Sequence, residues 1–141
     1  MASKNNFRTH ELCIEEFSSN LFPKNQSTSY IQQFSIRCKL HINEDTADGT
    51  KTGIIRSSFI LNACAQDSAE IYASIKGTVV GLFSVDAATP THEFENMLRL
   101  NGMLTILPMM RSSIYSIGNL LTIRAPMIIP NLDVTQIEWD E

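Results

Sequence analysis

The sequence predicts an α+β fold, a four-stranded antiparallel sheet followed by a long, interrupted helix packed on it. Three observations predict it. Apolar residues alternate with period two up to Val85, the connections between those segments are short and polar, and the spacing then changes to a helical stripe. Strands followed by helices form the segregated arrangement in which a helix covers one sheet face. The other face must be wet or buried against a partner. The 141 residues make one domain, 1–141, long enough to bury a core without staples.

The clearest strand is Tyr30 to Asn43. Tyr30, Phe34, Ile36, Cys38, Leu40 and Ile42 share one side; Gln33, Ser35, Arg37, Lys39, His41 and Asn43 share the other. The polar run from Asn43 to Thr50 is a turn. A strand from Ile54 to Ala65 follows, with Ile55, Phe59, Leu61 and Ala63 on one side. After the short turn Gln66–Ala69, a long strand from Glu70 to Val85 places Ile71, Ala73, Ile75, Val79, Phe83 and Val85 on one face. Gly77 and Gly81 mark a bulge or strong twist within it. His10 to Phe17, with Leu12 and Ile14, is a weaker strand.

Beyond Val85, Thr89-Pro90-Thr91 with Glu93 and Glu95 reads as a helix start. Met97, Leu100, Leu104, Leu107, Ile114, Ile117 and Leu121 then recur at mostly three- and four-residue steps. Gly102 and Pro108 interrupt the stripe, so a short helix, a break and a longer helix are expected over about 91–121. Pro126 and Pro130 make the tail 122–141 extended, and Trp139 anchors its end.

Composition excludes several classes. The hydrophobic fraction of 43% and charged fraction of 18% are globular values. The low charged share favours surface hidden in an oligomer or offered to a partner. A net charge of −4 with no basic patch argues against nucleic acid. Cys13, Cys38 and Cys64 are odd in number and form no CxxC pair, which predicts a reducing compartment and small buried hydrophobes. No run approaches the roughly 18 apolar residues of a membrane span, and Met1 to His10 lacks the apolar stretch of a signal peptide. A cytoplasmic protein is expected.

Particular residues carry a resemblance. Gly81-Leu82-Phe83-Ser84-Val85, then Leu107-Pro108-Met109-Met110-Arg111-Ser112-Ser113-Ile114, then Ile128-Ile129-Pro130-Asn131-Leu132-Asp133 follow in an order and spacing similar to the SecB family of export chaperones. The resemblance runs from about Leu12 to Asp133. It implies a cofactor-free, ATP-independent holding chaperone assembled as a dimer of dimers, a homotetramer, and binding unfolded client polypeptides in apolar grooves. By alignment the groove falls on Leu21, Phe22, Leu40, Ile42 and Ile128, and the oligomer interface of the helix on Leu104, Leu107, Arg111 and Ile114. The chain departs from the family pattern where an amphipathic C-terminal helix would follow, since only Val134 to Glu141 remain. That puts contacts with SecA in doubt, as do Arg37, Lys39 and His41 on the wet face of the Tyr30–Asn43 strand. A dedicated partner of one protein, such as an antitoxin or a phage protein, is the rival within the binding class.

Catalysis has no visible home. On one regular strand His10 and Cys13 point to opposite faces and cannot share a hydrogen bond. His10, His41 and His92 lack metal-ligand spacing, and no phosphate loop follows a strand. A small thiol hydrolase using Cys64 or Cys13, with His41 or His92 brought near by the fold, is the rival from another class; a catalytically dead regulatory subunit is a third reading. Met97, Met103, Met109, Met110 and Met127 are read as core and interface packing, or as an adaptable apolar surface. Arg111, a lone charge among apolar helix residues, is expected to pair with a carboxylate or capping carbonyls.

Overall fold

The computed structural model describes residues 6–21, 30–44, 49–65, 70–120 and 137–140. Four long strands, β1 (Arg8–Leu21), β2 (Tyr30–Asn43), β3 (Thr50–Ala65) and β4 (Ile71–Asp86), pair antiparallel. A fifth, β5 (Glu138–Asp140), pairs parallel to β2, giving the order β1-β4-β3-β2-β5. Helix α1 (Thr91–Met97), a π-helical turn (Leu98–Gly102) and α2 (Met103–Leu120) follow the sheet. The α+β expectation holds; the added strand lies inside the stretch expected to be an extended tail. The connections 45–48 and 66–69, Phe22, and the tail 121–136 with Ile128 lie outside the described residues.

The alternation in β2 produces the expected two faces. Cys38 is fully buried, Phe34, Ile36, Leu40 and Ile42 are half-buried, and Ser35, Arg37, Lys39 and His41 are exposed. Opposite them in register stand Leu61, Phe59, Ser57, Ile55 and Gly53 of β3, all buried. Beside those run Ile75, Val79, Phe83 and Val85 of β4. Against this face the helices press Phe94, Leu98, Met103, Ile106, Leu107, Met110 and Ile114. Burying each such side chain contributes roughly 1.5–3 kcal/mol, so this layer is the main source of stability.

Glycine sets the closeness of two approaches. A Cβ on Gly77 would lie 2.7 Å from the Glu16 carbonyl oxygen of β1, between the rings of Phe17 and Phe59. A Cβ on Gly102 would lie 2.5 Å from the Ile55 side chain, where the π turn meets the sheet. Gly77 therefore marks close packing, as does Gly81, where a Cβ would lie 2.6 Å from the Phe83 ring; neither glycine is a bulge residue, and two bulges fall on β1.

Those bulges are pinned. Register shifts occur between Thr9 and Glu11 and between Ile14 and Glu16, so His10 and Glu15 are the extra residues. The His10 imidazole hydrogen-bonds the Ser84 hydroxyl on β4, and the Glu15 carboxylate reaches across β4 to Arg56 on β3 at 2.7 Å. A third irregularity, between Ala63 and Cys64 of β3, makes Tyr72 the extra residue in the register of β4. Tyr72 is consequently buried, while Ile71, expected on the core face, is exposed.

The helix is interrupted only once among the described residues. The π turn ends at Gly102, whereas Pro108 sits within α2 without breaking it. Pro108 is exposed, as is Leu104, whose carbonyl loses its usual partner four residues on. At the helix start Pro90 is the N-cap. The Lys51 ammonium holds the entry by donating to the Thr89 carbonyl and the Thr91 hydroxyl, which in turn donates to Glu44.

Candidate client-binding surface

Two surfaces of the sheet–helix sandwich offer apolar side chains. On the helix, Leu100, Leu104 (55% exposed) and Tyr115 (62%) point away from the sheet. On the far face of the sheet, Ile54 and Ile60 of β3 and Ile31 of β2 stand exposed, interspersed with the Ser58–Thr78 hydrogen bond and the Arg56–Glu15 ion pair. Between these surfaces lies the β2 edge, with a cavity of about 320 Å³ lined by Ser35, Ile36, Arg37, Ser58, Phe59, Ile60 and Glu138. Its apolar wall is backed by aromatic rings: Phe59 packs edge-on to Phe17 and stacks with Phe34.

β5 borders this cavity. Ile137 is buried in the core and Trp139 packs against it, opposite Cys38 and with the Arg99 guanidinium 5.1 Å from the ring centre. Asp140 approaches Arg37 at 3.4 Å. Glu95 holds Arg99 from the preceding helical turn at 2.7 Å.

The residues expected to line one groove are spread out. Leu40 and Ile42 lie half-buried on β2, paired with Ile55 and Gly53, at the end of the sheet covered by α1 and the π turn. Leu21 closes β1 opposite Ala73, at the other edge, with β4 and β3 between; its side chain, like Phe22 and Ile128, lies outside the description. Of the expected helix-interface set, Leu107 (3%) and Ile114 (1%) point into the core, Leu104 points outward, and Arg111 is half-buried on the flank. Met103 and Met110 are core, and Met97 and Met109 pack against it. Sequence reasoning missed Ser35, Ser58, Phe59, Ile60 and Glu138 as neighbours of one cavity, because that grouping depends on strand register. The Ile137-x-Trp139 alternation was its only local signal, too short to read as a strand.

Few side chains are arranged for chemistry. Cys38 is buried, and desolvation pushes its thiol from 9.0 up to about 11; the Ser57 hydrogen bond opposes that rise and the charge of Asp140 adds to it. A thiol so held is unreactive near neutrality. His10 and Ser84 form a histidine–serine pair, but Ser84 is 2% exposed and presents no nucleophile to a substrate. The bulge at His10 overturns the opposite-face argument for His10 and Cys13; the imidazole is paired with Ser84 all the same. Among the described residues no three His, Cys, Asp or Glu side chains cluster as metal ligands. No described helix is long and apolar enough to cross a membrane.

This sheet–helix architecture is a SecB-like fold. It matches the SecB-like chaperone Rv1957 of Mycobacterium tuberculosis, solved in complex with a ChAD peptide from the Rv1956 HigA1 antitoxin, with a TM-score of 0.65. The match covers 90% of this chain and 91% of that one at 13% identity. A protein of unknown function from Streptococcus agalactiae matches with a TM-score of 0.53 and 11% identity, over 92% of this chain and 100% of that one. No family model matches the chain, and no curated protein matches it in sequence.

Proposed function

We propose that this chain is an ATP-independent holding chaperone that binds unfolded or extended apolar polypeptide segments in the cytoplasm. The observation that carries the reading is the match, over 90% of the chain, to a SecB-like chaperone solved with a bound peptide. Apolar side chains beside a strand edge support it, because burial of client side chains and main-chain pairing to an edge are sequence-tolerant sources of affinity. No cofactor or catalytic step belongs to this reading. A homo-oligomer built through strand edges and the outward helix face, with Leu104 and Arg111 at its contact, completes it.

The test sets a reduced, unfolded secretory precursor beside its folded form at low micromolar protein. Binding of the unfolded chain alone is the expected outcome; binding of neither sinks general holding activity. A second reading, a dedicated partner of one protein, is favoured by the neighbour's own ligand, a peptide from one antitoxin. A dedicated partner leaves the aggregation of unrelated unfolded proteins unchanged, whereas a general holder slows it. Oligomer contact through the helix is tested by Leu104→Glu, which is expected to lower the mass measured by light scattering.

A further inference from the structure

β5 differs in kind from the other strands. It pairs parallel where the rest pair antiparallel, and it covers only Arg37, Cys38 and Lys39 of the 14-residue β2. Its side chains alternate: Ile137 and Trp139 turn to the core, while Glu138 and Asp140 turn outward and Asp140 meets Arg37. Addition of a short extended segment to a sheet edge, with alternate side chains in pockets, is a standard mode of peptide recognition. Here the chain performs it on itself, and the cavity bounded by Ser35, Ile36, Phe59 and Glu138 opens at the point where β5 begins.

We propose that Ile137–Asp140 is a resident occupant of the client site, and that an extended client segment displaces it and pairs with the β2 edge in the same parallel register. The inference rests on the holding-chaperone reading and names the client's chemistry. The position equivalent to Ile137 is aliphatic and the one equivalent to Trp139 is aromatic, placed beneath Arg99. The next residue is acidic, beside Arg37. A client can win the exchange because β5 spans three residues and its ion pair is solvent-exposed, with side-chain exposures of 69% and 39%. Among the described residues no strand lies beside Ile31–Ile36 of β2, so a longer segment continues along that edge and fills the cavity. Self-occupancy lowers apparent client affinity by the fraction of molecules whose edge is open.

Trp139 is the sole tryptophan of the chain, so its emission reports β5 directly. A labelled 15-residue peptide containing Ile-Glu-Phe-Asp is titrated into the full-length protein, following label anisotropy and tryptophan emission together. The expected result is a red shift and gain of acrylamide quenching with the same midpoint as the anisotropy. In the full chain, Trp139→Ala tightens peptide binding about tenfold and Asp140→Lys, a surface change that keeps the fold, tightens it by a smaller factor. Peptide binding with unchanged emission, or weaker binding by both variants, overturns the proposal. Should no unfolded client bind, the holding reading fails by itself. The exchange is then judged with a peptide of residues 133–141 carrying Phe in place of Trp139. A red shift supports strand exchange at the edge, and none at millimolar peptide overturns it.

Discussion

β1 and β5 close opposite edges of one sheet by different means. β1 pairs with β4 from Arg8 to Leu21, and where its register slips the extra residue is tied down, His10 to Ser84 and Glu15 to Arg56. Its inward aromatic, Phe17, fits against Phe59 over the space left by Gly77. β5 covers three residues of β2, held by Trp139, the burial of Ile137 and one loose ion pair. Bulges and charges are ways of making an edge unattractive to other strands; a short strand of the same chain is a cover that can be lifted. The contrast teaches that a binding edge and a structural edge are told apart by how the covering strand is anchored, since both look closed in a topology diagram.

The largest effect comes from breaking the β1 side. Gly77→Val places a branched side chain against the Glu16 carbonyl and the Phe17 ring, and the backbone atom cannot swing away. A loss of about 3 kcal/mol or more, or failure to fold, is expected from overpacking of this kind, read by urea unfolding. Trp139→Ala, on the other edge, is expected to cost about 1 kcal/mol, because only a half-buried ring and three residues of ladder depend on it. Equal losses would erase the distinction between the edges.

The same contrast governs what the sequence revealed. β2 was legible because nothing interrupts its alternation: Phe34 through Ile42 keep one parity along an unbroken register with β3. β1 was faint because the bulge at Glu15 switches parity between Ile14 and Phe17, so its inward residues cease to fall on even positions. Ile71 was misplaced for a like reason, the irregularity at Tyr72. β5 was illegible because three residues carry too little pattern and their partner lies about a hundred positions earlier. Leu107 and Ile114 were recognisable as one helical stripe, but periodicity does not say whether a stripe faces its own sheet or another subunit. The cavity is a product of register and packing, and so had no signature at all.

A second effect, of intermediate size, lies beneath β5. Cys38 is buried on β2 with its thiol pushed up to about 11 by desolvation, partly offset by Ser57 and reinforced by Asp140. Folding therefore prefers the protonated thiol. The stability it contributes is complete below the ordinary value of 9.0 and is lost as pH rises towards 11. Wild type is expected to lose about 2–3 kcal/mol more than Cys38→Ala between pH 8 and pH 11, measured by urea unfolding at each pH. Alkylation at pH 8 sharpens the point: Cys13, exposed on β1, is modified rapidly, and Cys38 and Cys64, both buried, are spared in the folded protein. Rapid modification of Cys38 would mean that the β5 edge opens far enough to admit reagent to the core.

The smallest effects come from one exposed ion pair at each edge, and they separate the edges most sharply. Arg56–Glu15 is short at 2.7 Å, and Arg37–Asp140 is longer at 3.4 Å; all four side chains are well exposed. Each pair is worth less than about 1 kcal/mol to global stability, so Glu15→Gln and Arg37→Gln should scarcely move the unfolding midpoint. Local opening is another matter. β1 keeps its long ladder and the His10–Ser84 bond after Glu15→Gln, so its amide protection is expected to stay within about twofold. β5 has no comparable reserve, and Arg37→Gln should speed exchange at Glu138–Asp140 about threefold. Half-molar salt, which screens the pair, should act in the same direction. Amide exchange followed residue by residue decides it. If Glu15→Gln loosens β1 as readily as Arg37→Gln loosens β5, the bulge contacts are ornaments on an edge no firmer than the other; if only β5 responds, the sheet has one edge built to stay and one built to yield.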